Sequence, residues 1–544
     1  MSIRKHSRSP SQSPDSAAVA KTLRVEREEV ALFLFRRDLR VADNTGLQAL
    51  CDEAERRSIS ILPAFFFNPN QCDKEKNPYF GDAFFQFFCE SLVDLDGAEQ
   101  LNGGLVCLRG SDEECLQRIR DSGYEVKVIG FNEDYTPFAL ARDELLRDYA
   151  DKHGVVCVTG SNEYSLRPLG EVVSGTGQPY SVFTHFYNKF IAEHARAVAE
   201  PLPGSVKRTL SMMVSEPKKA LKHHLVNPAQ LYTHMPRLQD RGGRAEGLRR
   251  LAYVENLRNY ADVRNDIVGD HTSHLSPHLK CGTVSSREVW HASVRALGVG
   301  HTFTRQLVWR EFFAMLAFTH PRLLQGQLNS FASQTGIVKA PQLKQNAPFQ
   351  PLYDNYKWRW REEHFEAFKR GCTGVPLVDA AVRCLTATGW CHNRCRLVIS
   401  NFAVKVLGID WREGERWFAT MAVDYDVANN NGGWLWSSGQ GADAQPFFRT
   451  FNPFRQSERY DPDCKFIFQW VPELVKVPPS VVHKWDEYCT KGSSKAGGAS
   501  PRQRCSKGTA QKYPTSYPAP IVDTKASTKA IIQEFQSYRQ SKKE

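Results

Sequence analysis

A polar strip in the last third of the chain carries the residue types best suited to binding a ligand. It reads Asp424-Tyr-Asp-Val-Ala-Asn-Asn-Asn-Gly-Gly-Trp-Leu-Trp436 and combines two carboxylates, three consecutive amides and two tryptophans. Buried polar groups need hydrogen-bond partners, so this density of donors and acceptors favours a polar ligand over a plain core segment. The alternative is a loop rich in turn-forming residues.

Two segments upstream of the strip place tryptophan next to arginine. They read Gly389-Trp-Cys-His-Asn-Arg-Cys-Arg396 and Asp410-Trp-Arg-Glu-Gly-Glu-Arg416. Arg396 is available to pair with a carboxylate of the strip, and a buried pair of this kind must be well bonded. Cys391 and Cys395 lie one helical turn apart, but no second pair with zinc spacing lies nearby. Ordinary buried cysteines are therefore favoured over half of a metal site.

Several common catalytic signatures are missing from the sequence. It has no Gly-x-x-x-x-Gly-Lys-[Ser/Thr], which argues against a P-loop nucleotidase. Gly-x-Gly-x-x-Gly does not follow the first apolar run, which argues against an ordinary dinucleotide-dependent dehydrogenase. No nucleophile elbow is present either.

The elements that must position these residues fall into two kinds. Up to residue 160, apolar runs alternate with amphipathic helical spacing (Leu47, Leu50, Cys51, Ala54), which predicts a parallel sheet with crossover helices. The predicted strands cover 30–35, 59–67, 104–108, 126–131 and 155–158. Further along, helix signals dominate: Gly408 ends one predicted helix, and Asp410 caps the next with Glu413 closing a capping box.

Composition shifts divide the chain into segments. The predicted organisation is a disordered Ser/Pro/Arg-rich tail over 1–24, an α/β domain over 25–160, a connector over 161–245, a helical domain over 246–485, and a C-terminal loop and last helix over 486–544.

Charge and hydropathy exclude some classes of protein. The chain has 544 residues and a net charge of +11, which favours a polyanionic partner, although basic tails alone would give the same excess. No apolar run approaches the ~18 residues that span a bilayer, and the first residues lack the apolar core of a secretory signal. Fourteen dispersed cysteines suit a reducing compartment.

The polar strip and its upstream segments resemble the DNA photolyase/cryptochrome family. The same resemblance is carried by Phe35-Arg-Arg-Asp-Leu-Arg-Val-Ala-Asp-Asn44, Thr272-Ser-His-Leu-Ser-Pro-His-Leu279, Trp309-Arg-Glu-Phe312, 374–383 and 517–523. These blocks follow the family order from about residue 30 to 535. The resemblance implies an N-terminal α/β, Rossmann-like antenna domain with a parallel sheet, followed by a mostly α-helical domain that binds FAD.

The resemblance also implies which residues contact the flavin. The implied cofactor-binding residues are Tyr260, Thr272, Ser273, His274, Leu275, Ser276, Asn393, Arg396, Asp424, Asp426 and Asn430. Arg396 is expected to pair with Asp424, and Asn430 to face flavin N5. The family often has arginine where His274 stands, which predicts a weaker or rearranged phosphate contact.

A second implied set contacts DNA or carries electrons. The implied DNA-binding residues are Arg264, Gln306, Trp309, Arg310, Asn393, Arg394, Trp436, Arg449 and Gln456. Trp434, Trp411 and Trp358 fall at the positions of the family's electron-transfer tryptophans, with Trp360 as the alternative for the last of them. Enzymes that repair cyclobutane dimers usually carry glutamate where Gln306 stands.

The implied activity is light-driven repair of cyclobutane pyrimidine dimers, as in class I enzymes, because Asn393 follows His392. The alternatives are a signalling cryptochrome without repair activity and a (6-4) photolyase. A second, antenna chromophore would be a folate or a deazaflavin, with the absence of any antenna as the alternative. The expected partner is UV-damaged DNA, and no association with a membrane is expected. The protein is expected to be a monomer. The expected compartment is the nucleus, with the mitochondrion as the alternative.

Overall fold

The computed structural model describes residues 27–203, 206–326, 345–444, 449–493, 513 and 515–542. The predicted disordered tail over 1–24 lies outside these residues, as does much of the predicted C-terminal loop.

The N-terminal part is built on a five-stranded parallel sheet with the order β3-β2-β1-β4-β5. The strands are β1 (Glu28–Leu34), β2 (Ser60–Phe67), β3 (Val106–Arg109), β4 (Tyr124–Asn132) and β5 (Val156–Gly160). The central strand β1 is fully buried from Val30 to Leu34, which explains its uninterrupted apolar sequence. The predicted α/β class is confirmed.

Crossover helices cover both faces of the sheet. They are α1 (Thr45–Arg57), α2 (Pro69–Cys72), α3 (Asp82–Leu95), α4 (Asp112–Asp121) and α5 (Pro137–His153). In α1 the predicted apolar positions Leu47, Leu50, Cys51 and Ala54 are all buried, and the Asn44 side chain caps the helix by accepting from the Leu47 amide.

After Gly160 the described chain contains isolated bridges but no further strand. Short helices follow first: α6 (Phe183–Lys189), α7 (Val206–Met212) and α8 (Pro217–Ala220). The helical part then contains α9 (Arg244–Ala252), α10 (Tyr260–Val263), α11 (Ser276–Cys281), α12 (Ser286–Leu297), α13 (Thr304–Thr319), α14 (Glu362–Lys369), α15 (Pro376–Thr388), α16 (Asn393–Lys405), α17 (Trp411–Met421), α18 (Val427–Ser438), α19 (Pro453–Tyr460), α20 (Lys465–Trp470), α21 (Pro479–Val482), α22 (Trp485–Ser493) and α23 (Thr524–Ser541). Within the described ranges no helix is both long and apolar enough to cross a membrane.

Three consecutive helices, α16, α17 and α18, carry most of the predicted site. Asp410 caps α17 as predicted, by accepting from the Arg412 amide. The predicted capping box is wrong, because the Glu413 carboxylate pairs with Arg416 one turn further on. Gly408 has φ of +71°, a left-handed conformation that suits the break between α16 and α17.

Candidate functional site

The centre of the site is an ion pair between α16 and the loop that precedes α18. Arg396 donates from Nη1 to Asp424 Oδ1 at 3.0 Å and from Nη2 to Oδ2 at 2.9 Å. The Ser276 hydroxyl, at the start of α11, donates to Asp424 Oδ2 at 2.7 Å. The structure therefore brings together three predicted cofactor-binding residues from three separate segments. The pairing predicted for Arg396 and Asp424 is present.

The second carboxylate of the strip, Asp426, begins helix α18. Its Oδ1 accepts from the Asn429 amide at 2.9 Å and from Asn429 Nδ2 at 2.7 Å. Burial raises the pKa of Asp426, but the cationic groups of Lys280, Arg37 and Arg310 outweigh it and hold the pKa at about 2. Asp426 is thus a fixed negative charge at the N-terminus of α18, where the helix dipole also favours it.

Asn430 lies one turn into α18 and is half-buried. Its Nδ2 donates to the main-chain carbonyl of Glu415 at 3.0 Å, which fixes the amide in one orientation. A neutral amide held in this way can offer a hydrogen bond to a ligand without adding charge. Its predicted position opposite flavin N5 stays a prediction.

His274 occupies a different environment from its neighbours in the 272–276 segment. Its side chain is fully buried, with Nε2 at 2.7 Å from Asp270 Oδ1 and Nδ1 at 2.9 Å from Asp240 Oδ1. Burial lowers the pKa of His274, whereas hydrogen bonds and charges of the two aspartates raise it to about 9. The imidazolium is committed to carboxylates, so only the backbone of residue 274 is available to a ligand.

The residues around this ion pair fit the flavin that the sequence implies. The Thr272 hydroxyl oxygen is buried and has no hydrogen-bond partner among the described residues, which is the condition of a group that awaits a ligand. Ser276 and Asn393 remain exposed beside buried Asp424. The site thus offers hydroxyl, amide, guanidinium and carboxylate groups, the set that a polar cofactor with phosphate, ribityl and ring edges requires.

The three predicted electron-transfer tryptophans lie at different depths. Trp434 and Trp411 are buried, at 3% and 0% exposure. The Trp434 ring lies on the backbone of Gly414, and the Trp411 indole donates from Nε1 to Gln440 Oε1 at 3.1 Å. Trp358 is half-buried, whereas Trp360 is 49% exposed and packs edge-on against Phe365. Trp358 and Trp360 both line one cavity with Arg412, and the choice between them as the outer member stays a prediction.

Basic and aromatic side chains form a surface beside the predicted flavin-binding residues. Arg394 donates to Asn265 at 2.6 Å and lies over the ring of Tyr460, and Arg264 lies over the ring of Tyr260. Trp436 and Gln456 are half-buried, Arg449 is exposed, and Gln456 Oε1 has no partner among the described residues. Their predicted contacts with DNA stay predictions.

The predicted residues of α13 are partly engaged within the protein. One face of the Trp309 ring stacks on Phe183, with ring centroids 3.5 Å apart. Only the other face of the ring is therefore available to stack on a ligand. Arg310 donates to the Tyr164 carbonyl at 2.6 Å. Gln306 Nε2 donates to the Thr302 carbonyl at 2.9 Å, which leaves one amide hydrogen and the oxygen for a ligand.

Sequence reasoning missed several buried ionisable residues of the site. Glu415 is fully buried and accepts from Asn346 and Asn431, and burial raises its pKa to about 7. Asp240 and Arg37 reach the site from the connector and from the loop after β1. Their sequence distance from the polar strip left no local signal. Arg37 and Glu415 stood in segments that carried the resemblance, whereas Asp240 did not.

Comparison with known proteins agrees with this geometry. Residues 31–205 match the family model described as DNA photolyase, and residues 303–537 match the FAD binding domain of DNA photolyase. The chain is 31% identical over 526 residues to the deoxyribodipyrimidine photo-lyase of Halobacterium salinarum, covering 93% of this chain and 99% of that protein.

Two solved structures share the fold. An archaeal photolyase from Sulfolobus tokodaii, described with two FAD molecules, superposes with a TM-score of 0.71 at 33% identity and covers 94% of this chain and 100% of that chain. A Synechocystis cryptochrome gives a TM-score of 0.70 over 93% and 99% of the two chains, and at 24% identity this is a likeness of fold alone. With residues 303–537 forming its FAD-binding domain, the chain belongs to the DNA photolyase family.

Proposed function

We propose that the protein is an FAD-dependent deoxyribodipyrimidine photo-lyase that uses light to repair cyclobutane pyrimidine dimers in DNA. The observation that carries the proposal is the Arg396–Asp424–Ser276 arrangement, which assembles predicted cofactor residues from three segments. Arg396 and Asp424 lie within the residues that match the photolyase FAD-binding domain. When bound, the flavin supplies light absorption and the transferred electron. The protein supplies binding, orientation and the electrostatic setting.

Individual residues of the site have different roles in this function. Asp424 and Arg396 fix one edge of the cofactor site, and Asp426 holds a permanent negative charge beside Arg37 and Lys280. The oriented Asn430 amide offers a neutral hydrogen bond. Gln306, on the neighbouring helix α13, presents an amide that can donate to a pyrimidine carbonyl but cannot transfer a proton.

DNA binding follows from the charge and rings of the adjacent surface. Arg264 and Arg394 are placed over tyrosine rings, and the net charge of +11 favours contact with phosphates. A dimer must leave the duplex to reach a buried cofactor, and a damaged pair loses less stacking and pairing energy when it flips. Trp436 and the open side of Trp309 are the proposed walls for the flipped bases.

The decisive experiment is repair of an oligonucleotide that carries one defined cyclobutane dimer, in blue light and in darkness. We expect light-dependent restoration of the two pyrimidines. Gln306→Glu should raise the repaired fraction per photon, because a protonated carboxyl stabilises negative charge on the dimer better than an amide does. DNA affinity should stay nearly unchanged, which a dark binding titration of both proteins will measure.

Two other results would replace this proposal. A protein that binds dimers but repairs none, even as Gln306→Glu, would support the cryptochrome alternative. Repair of (6-4) photoproducts alone would show that Asn393 does not select the lesion.

We also propose a second chromophore, a monomeric state and a nuclear location, with the mitochondrion as the alternative. The Sulfolobus relative is described with two FAD molecules, which adds a flavin to folate and deazaflavin as candidates for the second chromophore. Chromatography of the released chromophores, sedimentation of the purified protein and imaging of a tagged chain test the three proposals separately.

A further inference from the structure

Trp358 has a tyrosine as its direct neighbour on the side away from the core. The rings of Tyr356 and Trp358 meet edge to face, with centroids 4.8 Å apart and planes at 80°. Tyr356 also contacts Phe535 at 5.3 Å and Tyr538 at 5.1 Å, both on the last helix α23. An unbroken aromatic path therefore leads from Trp358 to the C-terminal helix.

Tyr356 and Trp358 also line one cavity of about 670 Å³, together with Asp410 and Arg412. Burial and the nearby Glu534 raise the pKa of Tyr356 to about 12, although Arg359 opposes the shift, so the phenol carries its proton at neutral pH. An electron can leave this phenol easily only when the proton leaves too. The cavity gives the hydroxyl group a route to solvent for that proton.

We propose that Tyr356 is the electron donor that re-reduces Trp358 after Trp358 has been oxidised. In this step the Trp358 radical cation gains one electron and returns to neutral indole. The O–H bond of Tyr356 breaks, its proton passes to solvent in the cavity, and a neutral tyrosyl radical remains beside α23. The oxidising equivalent thus leaves the tryptophans toward the C-terminal helix.

This inference rests on the proposed function, in which light excites a bound flavin, and on the prediction that Trp358 is the outermost tryptophan that loses an electron. Within that scheme the phenol has a clear chemical advantage, since a phenol that can lose its proton is easier to oxidise at neutral pH than indole. Moving the oxidising equivalent to Tyr356 should also slow charge recombination with the reduced flavin. The radical on Tyr356 is neutral and therefore no longer attracts the electron.

The test is the identity of the radical after illumination of the full-length, flavin-loaded protein. Samples frozen after a blue flash should show a tyrosyl signal by electron paramagnetic resonance. In Tyr356→Phe this signal should be lost and a tryptophan radical should persist in its place. Formation of the tyrosyl radical should be slower in D₂O, because the O–H bond breaks in the step.

Tyr353→Phe is the matched control. Tyr353 belongs to the same aromatic cluster and stacks on Phe535, with ring centroids 4.9 Å apart. The substitution likewise removes only a hydroxyl group and keeps the ring contacts. It should keep the wild-type signal. Equal melting temperatures of the two variants will show that packing is preserved in both. A tyrosyl signal that survives in Tyr356→Phe would overturn the proposal.

A second arm separates this inference from the proposed function. A ruthenium polypyridyl photo-oxidant attached at Lys357→Cys, an exposed position between Tyr356 and Trp358, oxidises these aromatic side chains without the flavin. Comparison with Lys357→Cys/Trp358→Phe separates direct oxidation of Tyr356 from oxidation through Trp358. A tyrosyl radical that depends on both Tyr356 and Trp358 in this arm supports the relay even if blue light fails to oxidise the tryptophans, in which case electron transfer from the tryptophans to the flavin is at fault. Dimer repair by the chemically reduced protein needs no tryptophan oxidation and tests the proposed function separately. A lasting tryptophan radical with no tyrosyl signal would overturn the relay itself.

Discussion

The Asp424 carboxylate connects three parts of the chain, because its partners Arg396 and Ser276 lie on two different helices. Its side chain is 4% exposed, so its removal would leave the Arg396 guanidinium largely buried and unpaired. Breaking a buried pair from one side costs about 3–5 kcal/mol. Asp424→Ala should therefore lower both stability and FAD content.

Flavin absorbance per protein and the melting temperature will measure the two losses. Asp463→Ala is the matched control, since it removes a carboxylate from an exposed pair with Lys465 and should change neither quantity. Full flavin occupancy in Asp424→Ala would show that the ion pair does not form part of the cofactor site.

The His274 imidazolium makes stability depend on pH in a defined direction. Its folded pKa of about 9 lies above the value of ~6.5 expected in the unfolded chain, so protonation favours the folded state. This contribution is fully present below pH 6.5, declines between pH 6.5 and 9, and is lost above pH 9. Two further charged groups face this cluster: Arg250 lies 3.7 Å from Asp240, and the charge of Arg396 also interacts with Asp240.

His274→Asn isolates that contribution, because asparagine tolerates the left-handed backbone of residue 274, where φ is +52°. The melting temperature of wild type should exceed that of the variant at pH 6, and the gap should close by pH 10. The difference between the two proteins cancels other titrating groups. A gap that is constant over this range would mean that the imidazole stays neutral.

At the scale of elements, the two helices that carry the buried tryptophans meet at a glycine. The Trp434 ring of α18 covers Gly414 of α17 so closely that an added Cβ would lie 2.2 Å from ring atom Cζ3. By contrast, a Cβ on Gly433, also in α18, would meet nothing within 4 Å. The same substitution should therefore have opposite effects at the two positions.

Gly414→Ala should destabilise the protein by about 1–3 kcal/mol, since a buried indole must move to accept the methyl group. Gly433→Ala should instead stabilise it by about 0.5–1 kcal/mol, because alanine loses less backbone entropy in a helix. Denaturant unfolding of the two variants will give both signs. Equal effects would show that the α17–α18 contact has room to adjust.

The sequence predicted these elements well because their signals are local. The spacing of Leu47, Leu50 and Cys51 and the Asp410 cap depend on neighbouring residues only, and both were correct. The capping box predicted for Glu413 was wrong because two local groups compete for its carboxylate. The Arg416 guanidinium binds the carboxylate in place of a backbone amide. The Asp240–His274 contact joins residues far apart along the chain, which no periodicity can reveal.

At the scale of the whole molecule, a buried network of charges joins the sheet to the helical part. Arg287, on α12, donates to Asp43 Oδ1 at 3.0 Å and to Glu163 Oε2 at 3.0 Å. Arg40 pairs with the same Glu163, and all four side chains are at most 5% exposed. Glu163 also accepts from the Thr45 amide at the start of α1, so the network reaches the carboxyl edge of the sheet.

Removing Arg287 should weaken the junction between the two halves, because Asp43 and Glu163 would each keep a buried negative charge with one cation fewer. We expect Arg287→Met to lower the free energy of unfolding by about 3–5 kcal/mol.

Arg208→Met is the matched control. Arg208 joins Asp52 and Glu55, whose side chains are 62% and 56% exposed, and its loss should lower the free energy of unfolding only slightly. The double variant Asp43→Asn/Arg287→Met should recover part of the loss, since it removes one isolated charge.

Urea unfolding monitored both by flavin fluorescence and by circular dichroism should give one transition for wild type and two for Arg287→Met. A single unshifted transition in that variant would mean that apolar contacts alone hold the sheet on the helices.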